Sequence, residues 1–109
     1  MHAAFLNGKP ATSDDLRLLA LVNYGHYSSM QVRGGAVQGL ALHEQRLQAG
    51  TLELFGSVLD FGALRGQMRD AVASMPDCSL RATVFSRYFD FRDPAGVFDA
   101  EVLVSLSAP

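Results

Sequence analysis

The residues of this 109-residue chain best suited to chemistry fall in two clusters. Tyr27, Ser29 and Gln31 alternate along one stretch, so in an extended strand their side chains point to the same face. A phenol, a hydroxyl and an amide arranged this way offer hydrogen bonds to a small polar ligand while the ring packs against it. Further along, His43, Arg46 and Leu47 open what reads as a helix. The Arg46 guanidinium is permanently charged, and its forked donors match the oxygens of a phosphate or carboxylate. On residue types alone, both clusters also have plain explanations: an exposed strand face and a solvated helical arginine. His43 falls on the helix face that reads as buried and is expected to position its neighbours. Arg81 and Arg87 alternate with apolar residues and read as exposed strand residues.

Other chemistries find no footing. The three histidines show no metal-ligand spacing, and a single cysteine with no histidine pair beside it makes no zinc site. Ser28-Ser29 lacks the strand–turn–helix setting of a nucleophile elbow. Gly34-Gly35 is not followed by the lysine of a phosphate-binding loop. The aromatic residues lack the basic company that stacking on nucleic-acid bases requires. A net charge of -2 creates no general attraction to nucleic acid or membrane. Cys78 has no partner for an internal disulfide. No basic leader precedes an apolar core, and no apolar run approaches the ~20 residues that span a bilayer. The expectation is a cytoplasmic protein that binds neither nucleic acid nor membrane.

The elements that would carry these residues read as follows. Asn7-Gly8 marks a first hairpin, with Pro10 placing the return strand on an edge. "ATSDDLRLLALVNYG" reads as a short helix capped by Thr12 or Ser13 and stopped near Gly25. A second hairpin turns at Gly34-Gly35, with Tyr27, Ser29, Gln31 and Arg33 on one face and Ser28, Met30 and Val32 on the other. Residues 41–56 read as a helix with Leu40, His43, Leu47, Thr51, Leu54 and Val58 along its buried face, and Gly50 inside it. Asp60 caps a second long helix through Phe61, Leu64, Met68 and Met75. Ser79–Phe91 and Phe98–Leu106 read as two long strands around the turn "RDPAG". The fold expected is α+β: a two-layer sandwich of a mostly antiparallel sheet with two helices on one face, in a single domain over residues 1–109.

The stretch "NYGHYSSMQVRGGAVQGLALHEQRL" carries a resemblance. A glycine, an aromatic two residues later, a strand, a glycine turn, a second strand and H-x-x-R-L opening a helix are similar to the N-terminal small domain of class IV pyridoxal-phosphate enzymes. These include D-amino acid and branched-chain aminotransferases and aminodeoxychorismate lyases. "NGKP", "LRATVF" and "EVLVSL" agree with it. The resemblance implies that Arg46 holds the phosphate of pyridoxal phosphate. It also implies that Tyr27 lines the substrate pocket, with Ser29 and Gln31 on the same face toward a small amino-acid substrate. Ser28 departs from the glutamate common in D-amino acid relatives, which leaves the substrate class open.

Pyridoxal-phosphate chemistry needs a lysine to hold the cofactor covalently. The only lysine is Lys9, in the first turn. In the resembled family that lysine sits in a second, large domain. The expectation is a chain that supplies one wall of the site, joined by a lysine-bearing large domain and by a second copy of itself. The alternative is a non-catalytic binding or assembly module descended from that domain.

Overall fold

A computed structural model of the chain describes residues 3–109. The elements are β1 (Ala3–Leu6), β2 (Lys9–Pro10), α1 (Ser13–Val22), β3 (Gly25–Arg33), β4 (Ala36–Val37), α2 (Leu40–Phe55), α3 (Phe61–Val72), β5 (Cys78–Phe85) and β6 (Glu101–Ser107). This is the order expected from the sequence. Asn7 and Gly8 both take positive φ, 54° and 78°, as a two-residue hairpin turn requires. Thr12 and Asp15 close a reciprocal capping box on α1. The Asp60 side chain accepts from the Ala63 amide at the start of α3.

The strands form one sheet in the order β2-β1-β6-β5-β3-β4, with every neighbouring pair antiparallel. Pro10 lies on the edge strand β2, where its missing N–H breaks no ladder bond. Period-two alternation divides the central strands. Met30, Val32, Leu80, Ala82, Val84, Val102, Val104 and Leu106 point to one side and are buried beneath α2 and α3. Burial of each large aliphatic side chain contributes roughly 1.5–3 kcal/mol before entropy is counted. This is the expected α+β sheet with two helices on one face.

A further layer is present. On the opposite face, Leu18 and Leu19 of α1 pack on Leu6, Phe85 and Leu103, covering one end of the sheet. Between α2 and α3, Arg65 donates two hydrogen bonds to the Glu44 carboxylate, and the Gln48 amide oxygen accepts from the Leu59 N–H at 3.1 Å. The Arg65 hydrogen bonds hold the Glu44 carboxyl below its ordinary range, against the opposing effect of its burial.

Four expectations need correction. Helix α1 stops at Val22, with Asn23 in the left-handed conformation, and not at Gly25. Gly25 instead begins β3, where a Cβ would run into the Val84 carbonyl. The buried stripe of α2 is Glu44, Leu47, Thr51 and Phe55. It is rotated from the expected face because α3 lies against one side of the helix and Arg65 makes Glu44 tolerable there. Val58 lies beyond the helix and is exposed. Lastly, β5 ends at Phe85 and β6 begins at Glu101, so "RYFDF" is not strand. Its aromatics close a cluster instead: Phe89 stacks on Tyr24 at 4.1 Å and meets Phe55, Phe91 and Phe98 edge-on. The Phe98 amide donates to the Phe55 carbonyl at 2.9 Å, pinning this loop to the end of α2.

Candidate functional site

Strand β3 organises the site. Only Val32 and Arg33 pair with β4, so among the described residues the strand is bonded from Gly25 to Gln31 to β5 alone and its other edge is free. Its residues divide as the alternation predicts. Tyr27, Ser29, Gln31 and Arg33 are exposed on the face away from α2 and α3, while Ser28, Met30 and Val32 are buried toward them.

On the open face the register sets Tyr27 opposite Thr83, Ser29 opposite Arg81, and Gln31 opposite Ser79. Ser105 lies on the far side of Arg81. The Arg81 guanidinium carbon stands 4.5 Å from the centre of the Tyr27 ring, and its Nε donates a long, 3.4 Å hydrogen bond to the Ser29 hydroxyl. Two shallow hollows flank this pair. One, of about 240 Å³, runs beside Tyr27 under the end of α1. The other, of about 200 Å³, is lined by Ser29, Ser79, Arg81, Ser105 and Ser107. Hydroxyls ringing one cation suit a small carboxylate. Arg33 takes no part, since its guanidinium donates to the Val32 carbonyl.

Sequence reading missed Arg81 as a member of this group. The only available signal was its alternation in "LRATVF". Its meeting with Ser29 depends on a strand register that joins residues 52 apart.

Arg46 lies elsewhere, on α2 and exposed. Glu44 points from α2 toward α3, and Gln48 toward the connection between the two helices, through their hydrogen bonds. His43, Arg46 and Gly50, at spacings of three and four, occupy the opposite flank. Arg17, Arg65 and Arg87 each pair with a carboxylate, whereas Arg46, like Arg33, Arg69, Arg81 and Arg92, has none within 4.0 Å among the described residues. Its neighbours on the flank are tied to β3. The His43 Nδ1 and the Ser28 hydroxyl are 2.7 Å apart, and the His26 Nε2 and the Thr51 hydroxyl 3.1 Å. The Thr51 hydroxyl already donates to the Leu47 carbonyl at 2.7 Å, so it accepts from His26 Nε2–H. Partial burial lowers the His26 pKa below its ordinary value, which favours the neutral ring, and the bond to Thr51 then selects the tautomer protonated on Nε2.

The sequence-derived site is therefore brought together in part. Tyr27, Ser29 and Gln31 share a face, joined by Arg81. Arg46 belongs to the helix layer on the other side of the sheet. Lys9 is remote from both, on β2, four strands away from β3, about 19 Å at the usual strand spacing. Among the described residues no cluster of His, Cys, Asp and Glu could hold a metal ion, and no helix is long and apolar enough to cross a membrane.

No family model matches the sequence, and no curated protein matches it. Solved structures do resemble the fold. A 4-amino-4-deoxychorismate lyase from Pseudomonas aeruginosa superposes with a TM-score of 0.74 at 23% identity, over 96% of this chain and 39% of the lyase. A hypothetical aminotransferase from Mycobacterium tuberculosis, in its PLP-bound form, gives 0.63 at 21% identity, over 99% of this chain and 40% of that protein. Its apo form gives 0.64 at 22% identity, with the same coverage. The chain spans about two fifths of the length of these proteins, and over that span it shares their fold.

Proposed function

We propose that this chain forms the small-domain wall of a pyridoxal-phosphate site in a class IV enzyme, an aminotransferase or a lyase of the aminodeoxychorismate type. The observation that carries the reading is Arg46 in its place: the arginine of H-x-x-R-L, exposed on the flank of α2, in a chain whose fold matches a PLP-bound aminotransferase over 99% of its length. A fixed cation of this kind suits a phosphate dianion.

When bound, the cofactor supplies the electron sink for breaking bonds at the α-carbon of an amino acid. The residues of this chain bind and orient. Arg46 holds the phosphate. Tyr27, Ser29 and Gln31, with Arg81, face a small amino-acid substrate and hold its carboxylate. The covalent anchor and proton carrier is a lysine from a large domain, since Lys9 sits at the wrong end of the sheet. A second copy completes the assembly, and the exposed Val58, Tyr88, Phe91 and Val97 favour such association.

The test ranks two quantities. Wild type and Arg46→Ala are combined with a lysine-bearing large domain and titrated with pyridoxal phosphate, and each chain is melted without cofactor. Loss of a charge-assisted phosphate contact should weaken binding by about 1.5–3 kcal/mol. Stability should change by less than about 0.5 kcal/mol, as for an exposed helical residue. Equal affinities reject the phosphate role. A large loss of stability with unchanged affinity makes Arg46 a structural residue and favours the non-catalytic binding module.

A further inference from the structure

Two side-chain bonds cross the seam between α2 and β3, and they are reciprocal. Strand β3 contributes a hydroxyl, Ser28, and an imidazole, His26. Helix α2 contributes an imidazole, His43, and a hydroxyl, Thr51. Ser28 meets His43 at 2.7 Å, and His26 meets Thr51 at 3.1 Å. One such bond would leave the helix free to swing about it. Two bonds, eight residues apart on α2 and so about 12 Å along its axis, fix both position and angle. Arg46 sits between them, three residues after His43 and five before Thr51.

The packing at the second bond is close. The His26 ring lies directly against the backbone of Gly50, where a Cβ would come within 2.7–3.0 Å of three ring atoms. Any other residue at this point would have to displace either the His26 ring, and with it the bond to Thr51, or the helix itself. The seam thus explains three features that the core does not need: a glycine inside a long helix, a polar Ser28 only 2% exposed and a polar Thr51 fully buried. An apolar seam would pack as well, but it would slide. Directional bonds set a single register.

We propose that His26 and His43 are positioning residues that lock α2 to β3 and so set the direction in which Arg46 leaves the helix toward its anion. The proposal rests on the reading of Arg46 as a phosphate ligand. A group held to within about half an ångström by its supporting bonds binds well, and one that drifts does not.

The experiment titrates inorganic phosphate into the chain and follows the Arg46 side-chain Nε–H resonance, assigned by its loss in Arg46→Ala. Ser28→Ala and Thr51→Val each remove one bond. Each should weaken the phosphate response of Arg46 about threefold to tenfold, the range set by the worth of one hydrogen bond. His43→Gln, whose amide can still reach Ser28, should restore more of the response than His43→Ala. Leu64→Ala in α3 controls for general loosening: it lowers the melting temperature but should leave the response near wild type. Responses in Ser28→Ala and Thr51→Val equal to wild type would overturn the positioning role while the phosphate role stands. A response that simply follows melting temperature in all variants, Leu64→Ala included, would also overturn it. No response in wild type would remove the phosphate role itself, and the positioning role with it.

Discussion

The two faces of strands β3, β5 and β6 are built from alternate residues of the same segments, yet they do opposite things. Toward α2 and α3 the strands present Met30, Leu80, Val84 and Val104, all 2% exposed or less. Away from the helices they present Ser29, Gln31, Ser79, Arg81 and Ser105, open to solvent except where α1 covers one end. A strand cannot place two neighbours on one side, so stability and recognition are interleaved residue by residue. The lesson is that adjacent positions here should behave independently: one fails by unfolding, and the next by losing a ligand.

The sharpest way to break this comparison is the neighbouring pair Leu80 and Arg81. Leu80→Ala empties a site only 1% exposed and should destabilise the chain by about 2–5 kcal/mol. Arg81→Ala should change stability by less than about 1 kcal/mol, the worth of an exposed cation–π contact. Chemical denaturation of both variants measures this. Equal losses would show that the open face is part of the core.

The next effect compares two helical glycines. Alanine normally improves a helix interior by about 0.5–1 kcal/mol. At Gly66 of α3 no atom of the described residues outside the helix's own backbone stands within 4 Å of the new methyl, so Gly66→Ala should give that gain. At Gly50 the methyl meets the His26 ring, and Gly50→Ala should instead cost about 1–3 kcal/mol. Thermal melts that move in the same direction for both would refute the close seam.

The smallest effect is acid sensitivity. The folded chain holds His26 below its ordinary pKa of 6.5, so the unfolded chain takes up the proton more readily. Stability should be level above about pH 6.5 and fall as pH drops below it. Glu44 and Asp15, whose pKa values are lowered by hydrogen bonds, add their losses only in more acid solution. A urea midpoint that stays flat between about pH 7.5 and about pH 5.5, or one that falls equally in His26→Asn, would refute the assignment.

Local rules made most of the fold legible. The Asn7-Gly8 turn, the Thr12 and Asp60 caps and the alternation along β3 are statements about near neighbours, and each was readable. What could not be read depended on distant partners. Glu44 reads as a solvated charge until Arg65 is known to reach it. "RYFDF" has strand propensity, but Tyr24 and Phe55 draw its rings into a cluster. The site followed the same divide. The shared face of Tyr27, Ser29 and Gln31 came from period two alone. The addition of Arg81 needed a cross-strand register, and the separation of Arg46 needed the layer order.

The edge strand β2 has a consequence for how copies of this chain can meet. It is two residues long, and one of them is a proline, so it offers an incoming strand almost no ladder to join. Among the described residues, the other side of the sheet keeps a free edge along Gly25 to Gln31. Growth by strand addition is therefore one-sided. Two sheets that join through β3 would each end in a proline-blunted rim, and a third has nowhere to add. The asymmetry permits closed pairs and disfavours open fibres.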